Sequence, residues 1–418
     1  MTPVVLFLVN LLNFYDRLTL GAVADLVRRE FQLSDAQLGG LTTAFTILYA
    51  LAGWPLGRLA DTKSRKGILA WGVAVWSGLT ALGGVASSYA MLLFTRIGVG
   101  IGEASCAPAA TSWIADATPP ERRTRALAWF MMAIPVGGML GYSIGGPAAQ
   151  AFGWRAALAL AGLPAVALIP AILWLREPKR ARLAATAPSP RVLAGMPVFW
   201  WIAVSGAVVN FALYSFSAFF PAFLTRFHHL SVAGAGVWAG VGTGIAGIAG
   251  ALCAGAAGDR VTANLARNRM RLASAASLAA APLAFFAIAM PAGAAAGAIA
   301  LMMVAYGLLQ TYYGLVYAAM HDAVAPELRG TAMGGYFVVQ YLGGAAWGPL
   351  LTGRLSDHFA RAAADAGATA EAARAAGLHQ AMYAIPALAL LLAAVLWMGS
   401  LTANRSAPPL RPGVPRSE

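Results

Sequence analysis

Twelve apolar stretches recur along the 418-residue chain, each about as long as a helix that crosses a bilayer. Such a helix needs about 20 predominantly apolar residues. Only 11% of the residues are charged, against about 25% in soluble domains. The sequence therefore predicts an all-α integral membrane protein with twelve transmembrane helices. Their approximate ranges are 3–27, 36–58, 67–88, 91–115, 125–150, 154–175, 198–225, 233–257, 271–290, 294–321, 331–354 and 380–402.

Basic residues are distributed unevenly between the loops that join these stretches. With both termini placed in the cytoplasm, 20 of the 29 Lys and Arg residues fall on cytoplasmic segments, seven on outer segments and two inside the stretches. Cytoplasmic loops of membrane proteins carry such an excess. The pattern accounts for the net charge of +13 without a nucleic-acid partner. Together with the Ala- and Arg-rich composition, it predicts a multi-pass protein of a bacterial inner membrane with both termini cytoplasmic.

The chain repeats itself at an interval of about 200 residues. Residues 120–126 align with residues 326–332, and residues 57–61 align with residues 255–259. Parallel repeats of this kind place the substrate between the two halves, near the membrane midplane. We therefore expect two pseudo-symmetric bundles of six helices. The expected boundaries are 1–176 for the N-terminal bundle, 177–197 for a cytoplasmic linker, 198–404 for the C-terminal bundle and 405–418 for a cytoplasmic tail.

Four charged residues interrupt the apolar stretches of the N-terminal half. Asp16 and Arg17 lie in the first stretch, and Arg96 and Glu103 lie in the fourth. Charges at this depth are costly and persist mainly where they face a wet cavity or each other. Arg96 and Glu103 are two helical turns apart on nearly the same face, about 10 Å along the axis. We therefore expect the first helix to meet the fourth, with Asp16 or Arg17 bonding to Glu103 or Arg96.

These four charges allow two interpretations. In one, they form a structural ion pair that holds the N-terminal half together. In the other, Glu103 or Asp16 is partly desolvated and takes up a proton during a transport cycle. Arg96 is then the expected counter-ion of Glu103, and Arg17 or Arg96 is the expected anchor for an anionic headgroup.

The C-terminal half carries aromatic and amide side chains at helical spacing, with no charge near mid-membrane. A buried amide needs hydrogen-bond partners, so these residues are candidates for a cavity wall, with ordinary aromatic packing as the alternative. An ionic wall facing an amphipathic wall suits a substrate with a charged head and an apolar body. The cavity candidates are Asn13, Tyr49, Tyr142, Asn210, Tyr214, Tyr306, Gln310, Tyr313, Tyr317, Tyr336 and Gln340.

The loop after the second stretch contains Gly57, Asp61, Arg65 and Lys66. One interpretation is a cytoplasmic gate, in which Asp61 bonds to neighbouring helix ends in one conformational state. The other is a loop that is basic only because it is cytoplasmic. The sequence contains no nucleotide-binding loop, metal-ligand cluster or Ser/His/Asp arrangement, so we expect no enzymatic activity, no cofactor and no metal.

At these residues the chain resembles the major facilitator superfamily. Residues 57–66 are similar to that family's signature loop between its second and third helices. Residues 13–17, 96–105 and 133–142 resemble the Spinster-like transporters within it. The resemblance implies the major facilitator fold, a carrier that works by alternating access. It also implies that Asp16 and Glu103 are the protonatable pair, with Arg96 as their partner.

Spinster-like proteins are linked to sphingosine phosphate and lysophospholipids, with proton coupling for some members. We therefore expect a monomeric proton-linked secondary transporter of an amphipathic anion or lysolipid-like molecule. Its expected partners are that substrate, protons and membrane lipids. Two other functions remain open. A small organic-anion or sugar-acid symporter would need Arg17 or Arg96 free to clamp a carboxylate, and a multidrug exporter is the third possibility.

Overall fold

A computed structural model describes residues 2–178, 191–325 and 328–403, and these residues are almost entirely helical. The helices of the first half are α1 (Thr2–Phe31), α2 (Asp35–Thr62), α3 (Arg65–Gly83), α4 (Tyr89–Glu103), α5 (Cys106–Ala117), α6 (Pro120–Val166) and α7 (Leu168–Trp174). Those of the second half are α8 (Arg191–Ala194), α9 (Pro197–Arg226), α10 (Val232–Asp259), α11 (Leu265–Ala289), α12 (Ala295–Ala323), α13 (Arg329–Gln340), α14 (Gly348–Asp365), α15 (Ala370–Met382) and α16 (Ala384–Thr402).

Nine helical segments of the described chain are long and apolar enough to cross a membrane. One of these, Arg125–Trp174, is broken into two helices at Gly153, where φ is 84°. Helix α3, and α13 together with α14, are the two remaining helical segments that coincide with predicted spans. The expected all-α membrane fold is thereby confirmed, with one helical segment for each of the twelve apolar stretches.

Hydroxyl side chains begin several of these helices. Each accepts a hydrogen bond from a backbone N–H in the first turn, which has no partner within the helix. Ser34 does so for α2 and also forms a reciprocal pair with Gln37. The same cap is present at Ser64 for α3, Ser88 for α4, Ser231 for α10 and Thr369 for α15.

Two predicted spans are interrupted in ways that the apolar pattern does not show. The span 91–115 consists of α4 and α5, with a turn at Ala104 and Ser105 directly after Glu103. Pro108 has no N–H for the Ala104 carbonyl, and the Ser105 hydroxyl donates to the Gly102 carbonyl at 2.8 Å. The span 331–354 contains a π-helix at Tyr341–Ala345.

The two halves approach each other closely at the end of the molecule that carries the α1–α2 and α9–α10 turns, which we call the joined end. A Cβ added to Gly39 of α2 would lie 2.2 Å from the Pro349 carbonyl oxygen of α14. A Cβ on Gly240 of α10 would lie 2.5 Å from the Met139 carbonyl oxygen of α6. Glycine at these positions lets the helix backbones touch.

The opposite end, which carries the 57–66 loop, is called the separated end. A Cβ at Gly53, Gly255 or Gly334 would meet nothing within 4 Å. The hydrophobic core follows the same division. One cluster runs through the second half and includes first-half residues near the joined end, and the other lies within the first half. The halves therefore pack tightly at one end and diverge towards the other.

Candidate functional site

A buried ionic contact in the first half joins Arg17 of α1 to Glu103 at the end of α4. Nη2 and Nε of Arg17 donate to Oε2 of Glu103 at 2.6 and 3.0 Å. The Glu103 side chain is fully buried, whereas the Arg17 side chain is 10% exposed. Oε1 of Glu103 has no hydrogen-bond partner among the described residues. One carboxylate oxygen is thus paired and the other is available to a proton.

A second pair joins Asp16 of α1 to Arg96 of α4. Oδ1 of Asp16 lies 3.7 Å from Nη1 of Arg96, and both side chains are buried. Thr80 of α3 lies between them. Its hydroxyl donates to Oδ2 of Asp16 at 2.5 Å and accepts from Nη2 of Arg96 at 3.2 Å. This pair is looser than the first and depends on the threonine bridge.

The first helix therefore meets the fourth through crossed pairs, as the spacing predicts. Asp16 and Arg17 are about 100° apart on α1, so they point in different directions. Asp16 reaches Arg96, and Arg17 reaches Glu103 two turns further along α4. The expectation that Arg96 is the counter-ion of Glu103 is wrong, because Arg17 occupies that place and Arg96 faces Asp16. Both pairs lie within the first half, so neither one bridges the two bundles directly.

Aromatic rings surround the Arg17 guanidinium and lead to the second half. Its carbon atom Cζ lies 4.6 Å from the ring centre of Phe14, 4.9 Å from that of Phe45 and 4.8 Å from that of Tyr49. The Tyr49 ring is 5.4 Å from the ring of Tyr341, which begins the π-helix. Cation–π contacts of this kind strengthen when they are desolvated. Arg17 consequently lies beside this contact between the bundles.

Some of the predicted cavity residues of the second half form hydrogen-bonded pairs of a tyrosine and an amide. Tyr313 donates to Oδ1 of Asn210 at 3.1 Å, and Gln310 donates to the Tyr306 hydroxyl at 2.9 Å. Oε1 of Gln310 has no partner among the described residues. The same holds for Oε1 of Gln340 and Nδ2 of Asn13. Unpaired buried amides are costly, which makes them candidates for contact with a bound molecule.

The remaining cavity candidates differ in exposure. Tyr49, Tyr214 and Tyr317 are half-buried. Tyr142 and Tyr336 are buried, and both bond to protein atoms. The Tyr142 hydroxyl donates to the Ser217 carbonyl across the two halves, and the Tyr336 hydroxyl donates to that of Tyr312. In this conformation Tyr142 and Tyr336 therefore pack inside the protein.

Arg65, a predicted gate residue, is fully buried at the separated end. It donates to Asp116 at 2.6 Å, to Glu177 at 3.1 Å and to the carbonyls of Ser112 and Pro178, each at 3.0 Å. Burial raises the pKa of Glu177, but hydrogen bonds from the Arg65 N–H, the Ser64 hydroxyl and the Arg65 side chain outweigh it and leave the pKa lowered. These contacts join α3, α5 and the segment after α7.

The other predicted gate residues contribute less to this cluster. Lys66 donates to the Leu173 carbonyl at 3.3 Å. A Cβ at Gly57 would touch Pro108 at 3.8 Å. The Asp61 side chain lies outside those that the structure describes, so its predicted bond to a neighbouring helix end stays a prediction.

Sequence reasoning missed Asp116 and Glu177, although the internal repeat contains the signal for one of them. Arg269 of α11 pairs with Asp322 of α12 at 2.5 Å. These residues follow Arg65 and Asp116 by 204 and 206 positions, close to the repeat interval of about 200. The two halves therefore carry equivalent Arg–Asp pairs, of which the first is the more deeply buried.

A second missed feature is the joined-end cluster, which consists of Asp25, Asp35, Arg226, Ser356 and Asp357. Arg226 of α9 donates to Asp25 of α1 at 2.6 Å and to both oxygens of Asp35 at 2.8 Å. Asp357 of α14 accepts the first two N–H groups of α2 at 2.9 Å. The Ser356 hydroxyl donates to Asp35 at 2.6 Å. Residues of both halves thus hold this end together.

Comparison with known proteins places this arrangement in a family. A model of the Major Facilitator Superfamily matches residues 6–349. An MFS-type efflux pump of Mycolicibacterium smegmatis is 31% identical over 364 residues, covering 84% of this chain and 83% of the relative. Protein spinster homolog 1 of Bos taurus is 30% identical over 389 residues, covering 85% and 73%.

Solved structures agree with this placement. A bacterial homolog of the human lysosomal transporter Spinster, in an inward-facing and unoccupied conformation, has a TM-score of 0.87 and 26% identity, with 98% of both chains covered. A D-xylose-proton symporter, with a TM-score of 0.75 and 16% identity over 94% of this chain and 96% of its own, shares the fold alone. The chain is a multi-pass membrane protein that belongs to the major facilitator superfamily and is a Spinster-like transporter.

Proposed function

We propose that the protein is a proton-coupled secondary transporter that works by alternating access. Its proposed substrate is an amphipathic anion or a lysolipid-like molecule of the lysophospholipid or sphingolipid type. The observation that carries this proposal is the Arg17–Glu103 pair, a buried ion pair beside the aromatic contact between the two bundles.

Protonation of Glu103 would couple the proton to the substrate through Arg17. A protonated Glu103 loses its charge, and Arg17 is then left as a buried cation with no counter-ion. An unpaired charge at this depth is strongly unfavourable, so an anionic headgroup that binds Arg17 would be stabilised. Proton binding at Glu103 and anion binding at Arg17 thereby favour each other, which is a reciprocal coupling.

The surroundings of Arg17 favour an amphipathic substrate. Three aromatic rings lie within 5 Å of its guanidinium, and the tyrosines of the second half continue this lining through Tyr341 and Tyr214. Aromatic side chains give a large apolar contact area, and tyrosine adds a polar hydroxyl. A headgroup on Arg17 with an apolar body along these rings satisfies both kinds of contact.

The halves pack tightly at one end and diverge at the other, which supports a mechanism in which they rock against each other. We propose that the protein works in this way in a bacterial inner membrane. We place the joined end at the periplasmic face and the separated end, with its many basic residues, at the cytoplasmic face. Both termini then lie in the cytoplasm, and the present conformation faces inward. The Spinster homolog with a TM-score of 0.87 has an inward-facing conformation, which agrees with this assignment.

Export of foreign compounds is the second candidate function, and one observation favours it. The relative from Mycolicibacterium smegmatis, an MFS-type efflux pump, is 31% identical to this chain. A small organic-anion or sugar-acid symporter has less support, because a small hydrophilic acid would leave the aromatic rings around Arg17 without an apolar partner. The proposed transporter and these two alternatives differ in the substrates that they would accept.

Transport into proteoliposomes under an imposed pH gradient tests the proposed substrate class. The panel would contain a lysophospholipid, small organic acids and cationic drugs, with Arg17→Gln beside the wild type. Arg155→Gln is the matched control, because Arg155 is half-exposed and pairs with Glu30 at the joined end. Lysophospholipid flux that is lost only in Arg17→Gln supports the proposal. Flux of small acids alone, or of drugs alone, contradicts it and assigns the function to the corresponding alternative.

A further inference from the structure

Two arginines share one face of α11 near the separated end. Arg267 and Arg271 are four residues apart, so they are neighbours on the helix surface. Arg269 lies between them in sequence but points about 200° away from each, where it pairs with Asp322 of α12. The α11 helix therefore uses one arginine inside the bundle and presents two on another face.

The two arginines of this face have no acidic partner among the described residues. Their Nε atoms are shielded from water and find no hydrogen-bond acceptor in the described chain. The guanidinium of Arg271 lies 4.9 Å from the ring centre of Trp397 on α16. A positive-inside bias alone explains basic residues at this end. It does not explain two partly buried arginines that lack a counter-ion, one of which lies against a tryptophan ring.

An exposed apolar surface continues from this pair towards the middle of the membrane. Trp397 is 49% exposed. Leu278 of α11 follows Arg271 by seven residues, and Leu390 of α16 precedes Trp397 by seven, and both are exposed. Seven residues are two turns, or about 10 Å along each axis. Both leucines therefore lie below the charged pair on the same helix faces.

We propose that Arg267, Arg271 and Trp397 bind the phosphodiester headgroup of an anionic phospholipid, whose acyl chains lie along Leu278 and Leu390. A guanidinium offers a fork of donors that matches two phosphate oxygens. Tryptophan is enriched at the level of lipid headgroups, and basic pockets between helices on the cytoplasmic side bind such headgroups. The site lies on the second half, away from the proposed transport path at Arg17.

Native mass spectrometry of the full-length protein in detergent tests this site. Phosphatidylglycerol or phosphatidylcholine would be titrated into the wild type, Arg267→Ala/Arg271→Ala and Arg267→Lys/Arg271→Lys. The matched control is Arg122→Ala/Arg125→Ala, which removes two exposed charges from the start of α6. Glycerol phosphate would be added as a soluble competitor to separate a free phosphate from a lipid headgroup.

We expect the alanine pair to bind phosphatidylglycerol on the order of 30-fold more weakly than the wild type, since each arginine near an anionic headgroup contributes about a factor of five. The lysine pair should retain part of the affinity and confirms that the fold is intact. Unchanged binding in the alanine pair, or an equal loss in the control, overturns the proposal. Displacement by millimolar glycerol phosphate contradicts the assignment to a lipid.

Discussion

Replacing Arg226 should shift the protein towards a conformation in which the joined end opens. The side chain is 4% exposed and bonds to Asp25 and Asp35 on the other half. Asp25 keeps Arg28 and Arg29 as partners in Arg226→Gln, but Asp35 loses its guanidinium. Removing one partner of a buried pair costs roughly 3–5 kcal/mol, and the remaining partners of Asp25 favour the lower figure. The cost disappears once the carboxylates are hydrated, so the open population should rise on the order of 100-fold.

Cysteine labelling measures this shift in protein reconstituted in nanodiscs. Thr43 is buried at the joined end, where its hydroxyl donates to the Ala346 carbonyl of the other half. Thr43→Cys, in a background with Cys106 and Cys253 replaced, should react with maleimide much faster when Arg226→Gln is added. Arg155→Gln is the matched control at the same end. Equal rates in the two variants would show that Arg226 does not hold the joined end closed.

Three further predictions concern packing and the separated end. Gly39→Ala should raise the same labelling rate because its Cβ would meet a carbonyl oxygen at 2.2 Å, whereas Gly53→Ala should not; equal rates contradict this. Asp116→Asn should lower the thermal unfolding temperature more than Asp322→Asn, because its arginine partner is fully buried; the reverse order contradicts it. A lowered pKa in the folded state means that Glu177 stabilises above its ordinary pKa of 4.5, and this stabilisation is lost as the pH falls. Glu177→Gln should therefore unfold at a lower temperature than the wild type at pH 7, and the difference should shrink as the pH falls below 4.5; a pH-independent difference contradicts it.

Much of the fold could be predicted because bilayer depth sets a simple length rule. Apolar stretches of about 20 residues identify the spans, and the repeat at about 200 residues identifies two similar halves. The turn after Glu103 and the π-helix at Tyr341–Ala345 could not be predicted this way. They depend on local hydrogen bonds and close helix contacts, which leave the average hydropathy of a segment unchanged.

The candidate site also has a part that the sequence predicts and a part that it does not. Charges inside apolar stretches identify Asp16, Arg17, Arg96 and Glu103, but the choice of partners depends on which helix faces meet. The joined-end cluster was missed for a different reason. Its arginine, Arg226, lies at the end of a span, where a charged side chain adds little to the free energy of membrane insertion. From the sequence it cannot be told apart from an ordinary loop residue. Only the packing of the halves shows that it is buried between two carboxylates.

Gradient-driven transport shows directly whether Glu103 carries the coupling proton, as proposed above. Substrate uptake and internal pH would be followed together in proteoliposomes that contain the wild type, Glu103→Gln or Glu30→Gln. Glu30→Gln is the control, because it removes a carboxylate that is half-exposed. We expect a pH gradient to drive uptake in the wild type and in Glu30→Gln. In Glu103→Gln uptake should no longer respond to the gradient, although exchange without a gradient continues. Uptake in Glu103→Gln that still follows the pH gradient would mean that Glu103 does not carry the coupling proton.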